Sequence, residues 1–523
     1  MKATAPLPAS RPYLVHHGRA PLRRRWLPLA GALAAIIAIV VLVLFARYWP
    51  FTRQAVTANL AQAAAASVEI ASFRQTFFPH PGAVAEGVTI RRNRDANLPP
   101  LITINKLTIQ ASYNGLLRHH VALLRAEGMH AVVPRGESLR PAANSALLKT
   151  VIDELQADGA LLDFLSSDPA KPATQFQIHQ FRIHDVSSRG RMTFQVALRN
   201  PKPPGEVQAT GEVGPWRADD PQQTNASGSY SFRQADLGKL AGIAGMLSSD
   251  GKFHGPISSL QVEGTTDTPD FEVASVAHRE HLSTNFHAVV NATNGDVSLP
   301  TVQARLGDTA IAVRASVVHL DQQPGKTAAV EFFARQGRIQ DLLWLFTRAP
   351  RPPLAGVASF RGNVTIPPGR EKFLRKVVCV ADFGIDDARF TTPETEQKVS
   401  QMSERARGDR TPPPDPPTVL SDLKGHVELR GGVAHFSSLS FAMPGAVAHL
   451  QGTYDVIADK LNLQGTVQTQ VKISDTTTGV KSLFVKALTG LMKKDRPEAP
   501  IPVTITGTYS DPHYRIDLTR KNK

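Results

Sequence analysis

The sequence predicts a mostly β protein: an antiparallel β body carried behind a single N-terminal transmembrane helix, with only a few short helices elsewhere. Three observations predict it. Leu27 to Ala46 is a run of twenty residues with no charged side chain, period-two alternation of apolar and polar residues recurs through the remainder, and Gly, Asn, Asp and Pro separate the alternating runs.

The apolar run comes first in the chain. At about 1.5 Å per residue it makes a helix about 30 Å long, the thickness of the hydrocarbon layer. Arg23, Arg24 and Arg25 precede it and Arg47, Tyr48 and Trp49 follow it. Basic residues stay on the cytoplasmic side and aromatic residues suit the lipid interface, so residues 1–25 form a cytoplasmic tail, 26–46 the span, and the rest is exported. A cleaved secretory signal is the alternative, with Ala63 to Ala66 as the small residues at a cleavage site. However, a signal core is usually about 7–15 residues long, and these alanines sit well beyond the apolar end.

Residues 1–47 hold seven Lys or Arg and no acid, half of the formal net charge of +14. The exported part is therefore only mildly basic, and it lacks the dense basic tract interleaved with aromatics that a nucleic-acid partner would require. Cys379 is the single cysteine, which excludes an intrachain disulfide and a zinc site of several thiolates. A large β protein can fold without such staples. Asn225, Asn291 and Asn363 each head an Asn-x-Ser/Thr triplet, a motif too common to locate a protein. One basic-flanked anchor without disulfides points to a single-pass protein of a bacterial inner membrane with its bulk in the periplasm.

After the anchor, Ala-rich Phe51 to Ala66 reads as a helix. Strand alternation follows at Phe176 and Ile178; at Met192, Phe194, Val196 and Leu198; at Phe286, Ala288 and Val290; and at Ile311, Val313, Ala315 and Val317. It returns at Val467, Thr469, Val471 and Ile473, at Ile501, Val503 and Ile505, and at Tyr514, Ile516 and Leu518. Asn294-Gly295-Asp296 reads as a hairpin turn. Helical spacing is confined to Ser145–Leu155, Asp236–Leu247, Ile339–Phe346 and Val480–Leu491. The last carries Lys481 and Lys486 beside its apolar stripe, which fits a structural cap or a helix lying on anionic lipid. Two Pro-rich stretches, Asn200–Gln223 and Glu394–Thr418, read as linkers. They divide the exported part into regions 47–199, 224–393 and 419–523, with 394–418 as a Pro-rich linker. So few helices cannot cover so much sheet, so the apolar faces must meet in a sandwich, close into a barrel, or line an open trough.

No catalytic set emerges. Gly245 to Lys252 imitates a phosphate loop, but five residues separate its glycines and Phe253 stands where Ser or Thr should bind magnesium; helix-end glycine is the simpler reading. No Gly-x-Ser-x-Gly or His-Glu-x-x-His occurs. His278, His281 and His287, with Glu280, fall on differing faces of a strand and read as solvent-facing. Asp267 and Asp270 read as turn residues without a full cation ligand set. The expectation is a protein that is not an enzyme and needs no cofactor or metal.

Short motifs recur in a recognisable order. Phe77-Phe78-Pro79-His80-Pro81-Gly82 leads to Gly87-Val88-Thr89-Ile90, Leu107-Thr108-Ile109, and Leu116-Leu117 before Val121. Near the other end stand Leu423-Lys424-Gly425-His426-Val427, Phe441-Ala442-Met443-Pro444-Gly445-Ala446, Leu450-Gln451-Gly452-Thr453-Tyr454, and Pro502-Val503-Thr504-Ile505-Thr506-Gly507-Thr508 before Asp511-Pro512. This order resembles that of AsmA-like proteins, over most of residues 27–518; the Pro-rich stretch at 405–418 departs from it. The resemblance implies an elongated antiparallel β-groove like that of TamB-type bridge-like lipid transfer proteins, and no catalytic residues. It further implies support of phospholipid transport between inner and outer membrane and of outer-membrane biogenesis, with phospholipid acyl chains and the inner membrane as partners. On that reading Val196, Leu198, Val313, Val317, Val471 and Ile473 are groove candidates, although the same alternation would also serve a closed sandwich. The competing reading is a periplasmic scaffold that offers sheet edges to outer-membrane or other envelope proteins during assembly.

Overall fold

The structure, a computed structural model, describes residues 50–516 apart from 65, 92–99, 118–119, 134–150, 166–171, 188–189, 218, 241, 274–277, 321–324, 347–350, 353, 370, 392–420, 444–445, 470–499 and 509–511. The chain divides into two units, Met1–Val56 and Thr57–Lys523, and the sheet belongs entirely to the second. Helix α1 (Arg53–Ala64) falls within the expected 51–66 helix.

The rest is a large open sheet, mostly antiparallel, and the described residues are 73% strand. It begins with β1 (Ser67–Thr76), β2 (Gly82–Arg91) and β3 (Ile102–Gln110), followed by the short α2 (Tyr113–Leu117). Next come β4 (His120–Val133) and β5 (Val151–Phe164), the one parallel pair among the described strands. The antiparallel order resumes with β6 (Thr174–Val186), β7 (Met192–Pro201), β8 (Pro204–Val213), β9 (Asn225–Asp236), the stub β10 (Ile243–Ala244), β11 (Met246–Pro256) and β12 (Leu260–Val273). The middle holds β13 (Arg279–Asn291), β14 (Asp296–Leu306), β15 (Thr309–His319), β16 (Lys326–Arg338), helix α3 (Ile339–Phe346) and β17 (Leu354–Ile366). After the turn α4 (Phe373–Lys376) follow β18 (Val378–Phe390), β19 (Ser421–Arg430), β20 (Val433–Met443), β21 (Ala446–Asp455), β22 (Lys460–Thr469), β23 (Ile501–Gly507) and β24 (Pro512–Ile516).

Each strand pairs with the next, β10 excepted, and among the described residues β1 and β24 remain as free edges. The strand ends therefore form two margins. One holds the turns after β1, β13 and β21; the other holds the β14–β15 turn and α3. Pairing slips by one residue at several places, including Thr268/Phe271, Leu299/Val302 and Ala334/Gly337. Such bulges bend a strand and increase its twist, and they also swap the faces of everything beyond them.

Several expectations meet a different outcome. Val151, Ile152 and Leu155, read as helical, lie in β5, because pairing to β4 and β6 on both sides outweighs a local spacing that fits either state. Asp236–Leu247 is not a helix: Asp236 accepts the Gly238 N–H at 2.9 Å and caps a single turn, after which Gly242 and Gly245, both at positive φ, lead into β11. Gly245 is thus a bend before a strand, not a helix end. Asn200–Gln223 contains β8, hydrogen-bonded on both sides, so the ladder runs through the expected linker. Asp267 and Asp270 sit in β12, not in a turn. Glu394–Thr418, Val480–Leu491, Val471, Ile473 and the run Leu27–Ala46 with its flanking Arg23, Arg24, Arg25, Arg47, Tyr48 and Trp49 lie outside the described residues. Among the described residues no helix is long and apolar enough to cross a membrane.

Candidate functional site

Residues directly opposite each other in paired strands point to the same face, so register traces a face from strand to strand. Starting at Phe73 on β1, the row passes through Ala85, Leu107, Ala126, Ala157 and Phe181. It continues through Val196, Ala209, Tyr230, Gly251, Gly264 and Phe286. Beyond β13 it takes in Val302, Val313, Phe332, Gly362 and Ala381. It ends with Val427, Phe436, Gly452, Leu463, Ile505 and Tyr514. Every strand except the stub β10 contributes one residue, and none is charged. The row lies near mid-strand, and its neighbours two residues away continue it, as in Leu198 opposite Ile178 and Val207.

Burial along this face is uneven. Ala85, Leu107 and Ala157 are buried, whereas Val196, Phe286, Val313 and Phe332 are only half-buried and Val317 is exposed. Helix α3 makes the most extensive helix contact with the central strands, touching β12, β13, β16 and β17. Its Asp341 carboxylate accepts the Asp308 N–H at 3.1 Å and the Thr309 hydroxyl at 2.8 Å, and its Trp344 ring stacks on His278 with centroids 3.7 Å apart. Ile339 packs with Leu354, Leu423 and Phe441 against the buried Ile385 and Ala388. These contacts fix α3 at the margin of the sheet.

In the centre, aromatic rings lie across glycines of neighbouring strands. A Cβ added at Gly228 would stand 2.8 Å from Phe253 Cζ, one at Gly362 2.7 Å from Phe332 Cζ, and one at Gly264 3.1 Å from Phe286 Cζ. Glycine inside a strand marks such a close approach. With no Cβ beneath them, these rings approach the strand backbone closely. Two shallow concavities of about 520 and 530 Å³ meet at Gly251 and Lys252 but open on the other side of the sheet, one lined by Thr210, Ser229 and Asp250 and the other by Glu263, Asn285 and His287. Burial pushes the Tyr230 phenol up, against a 3.1 Å hydrogen bond with the Ser249 hydroxyl, so the ring carries no charge at neutral pH.

The opposite face is polar and paired. Arg182, Gln195, Thr210, Ser229, Lys252, Glu263 and His287 follow one another in register. Ion pairs cross the strands from Arg233 to Asp250 at 2.6 Å and from Arg361 to Asp382 at 3.2 Å, and His426 meets Asp382 at 2.7 Å. The histidines singled out above are dispersed: His281 meets Asp267 at 2.6 Å, His287 meets Gln261 at 3.0 Å, and His278 is under Trp344. Among the described residues no three His, Cys, Asp or Glu gather as a metal site. Asp270 accepts the Met246 N–H at 2.8 Å and so splices β11 to β12.

Val196, Leu198, Val313 and Val317 therefore share one apolar face, though not one pocket: the first two sit on β7 and the others on β15, with further strands between. Spacing missed the glycine–aromatic pairs, because they depend on which strands are neighbours. An isolated Gly within an alternating run, as at Gly251, Gly264 and Gly362, was the available signal. The fold and this face define a class: a one-sided, open antiparallel sheet with an uncharged face and no assembled reactive centre among the described residues. Comparison with family profiles, curated proteins and solved structures finds no match to this chain.

Proposed function

We propose that the chain is a membrane-anchored conduit or carrier for phospholipid, with its sheet curved into a trough whose apolar face holds acyl chains while headgroups stay toward water. The observation that carries this reading is the uncharged row, continuous in register from Phe73 to Tyr514 and half-buried through most of the centre, where Val302 is buried. Strands advance about 4.8 Å each, so this many strands give an apolar path on the order of 100 Å across the sheet. An acyl chain of sixteen carbons in water costs on the order of 13 kcal/mol at about 0.8 kcal/mol per methylene, and a face of this kind removes most of that cost. The bulges supply curvature, and aromatic rings set close over glycines add apolar surface to the path. Residues 26–46 hold the sheet at an inner membrane, in keeping with the AsmA-like motif order, and the polar back faces the periplasm.

A photo-reactive amino acid at Val313 tests this in cells. Covalent capture of phospholipid, reduced when Phe332 is replaced by Asp, is the expected result. Adducts to protein alone at Val313 overturn the conduit and favour the scaffold reading, in which free edges β1 and β24 take client strands.

A further inference from the structure

We propose that the turn between β1 and β2, together with α2, is a second membrane contact that dips aromatic side chains into the interface of an anionic phospholipid bilayer. This goes beyond the conduit reading, which needs only the apolar face. Phe78 is 86% exposed, Phe77 52% and Tyr113 49%, placing all three among the most exposed large apolar or aromatic side chains of the described residues. They stand together at one margin, on adjoining strand ends: Phe77 and Phe78 follow β1, and Tyr113 opens α2 after β3. The Tyr113 hydroxyl donates to the Phe77 carbonyl, which ties the two connections into one tip. Gly115 N–H donates to the Ser112 hydroxyl at 3.0 Å and Ala111 N–H to the Pro81 carbonyl at 2.8 Å, bracing both sides.

Charge identifies the occupant. No acid occurs from Ile70 to Ala85 or from Ala111 to Ala126, while Arg74 and His80 are exposed beside the rings. Asp153, on the neighbouring β5, is held by His120 at 3.5 Å. A protein-binding tip has no need of this one-sided charge, whereas Phe and Tyr accompanied by the Arg74 cation match a surface of phosphate over hydrocarbon. Phe77 also follows the apolar run Leu27–Ala46 closely in sequence, so a bilayer held by that run is within reach of the chain. The tip would fix the first strand of the sheet against the leaflet.

The full-length protein, reconstituted in vesicles of phosphatidylethanolamine and phosphatidylglycerol, carries an environment-sensitive fluorescent amino acid at position 78 or, in a separate preparation, at 457. Ile457 is a control on the same margin, 49% exposed in the β21–β22 turn. Brominated acyl chains are expected to quench the probe at 78 several-fold more than the probe at 457. Phe77→Ser and Arg74→Glu should each cut that quenching, the second only when phosphatidylglycerol is present. Equal quenching at both positions, or quenching at 78 by aqueous iodide alone, overturns the proposal, as does capture of protein in place of lipid at that site. Lipid capture at Val313 is scored separately: quenching at 78 without capture at 313 retains the tip and rejects the conduit, and the reverse result does the opposite.

Discussion

The first strands and the central strands bear the same apolar alternation, yet their side chains end in different surroundings. On β2 and β3, Ala83, Ala85, Val88, Ile90, Ile104, Leu107 and Ile109 are all buried. On β7, β13, β15 and β16, Val196, Phe286, Val313 and Phe332 stay half-buried, and Val317 is exposed. Residue size separates the two. Alanine recurs along the early row, at Ala85, Ala126 and Ala157, and lets larger neighbours such as Leu107 and Ile109 close over it. The central row places rings across glycines instead, filling the floor without building a lid. Alternation decides which residues share a face; the sizes along that face decide whether it seals.

The contrast is broken most directly by placing the same charge in both regions. Val88 is fully buried, so Val88→Asp strands a carboxylate without a partner and should cost on the order of 4 kcal/mol or more in denaturant unfolding. At Val313 the carboxylate can reach water, and Val313→Asp should cost less than about 1.5 kcal/mol while abolishing lipid capture from a probe at Phe286. Similar losses at the two sites would mean that the centre is as sealed as the start. A smaller effect separates two glycines. Gly228→Ala drives a Cβ into the Thr210 carbonyl and the Phe253 ring and should cost about 2–3 kcal/mol. Gly159→Ala meets nothing within 4 Å, and its positive φ alone should cost about 1 kcal/mol. Thermal unfolding of both variants checks the order.

Much of this contrast was hidden from the sequence for definable reasons. The Asn294-Gly295-Asp296 turn was legible because its chemistry is local: Gly295 takes positive φ and the Asn294 side chain accepts the Asp296 N–H at 2.8 Å. Helix α3 was legible for the same reason, as Ile339 to Phe346 is too apolar and too unbroken to alternate. The strand at Val151 was not, since its state depends on β4 and β6 and not on its own spacing. Nor was the row itself. Val196 and Val313 can be read as inward-facing from their own strands, but the bulges at Leu299/Val302 and Ala334/Gly337 change parity, so only pairing shows that Val302, Val313 and Phe332 lie side by side.

The sealed margin around α3 supplies a finer test within the central region. Asp341→Ala removes the acceptor for the Asp308 N–H and the Thr309 hydroxyl and should loosen α3 by about 1–2 kcal/mol. Hydrogen exchange across residues 339–346 should quicken while β2 and β3 remain protected. Equal acceleration in both places would show that the margin and the first strands open as one unit.

The smallest expected effect lies on the polar back and is read as a function of pH. The hydrogen bond to Asp382 raises the His426 pKa, with Glu428 adding to it, and His426 followed by Arg361 lowers that of Asp382. A histidine raised in the fold stabilises fully below its unfolded pKa of about 6.5, and that contribution fades as pH rises through the higher folded value. A depressed carboxylate contributes above its unfolded pKa of about 3.9 and loses that contribution as pH falls through the folded value. The pair is therefore most favourable between those two unfolded values, and its exposure keeps the gain small. Titration of His426 by NMR should give a midpoint above that of a free histidine, returning toward it in Asp382→Asn. Lipid capture at Val313 should be unchanged by Asp382→Asn, because the ion pair stands on the opposite face of the sheet; a change would mean that the two faces are coupled.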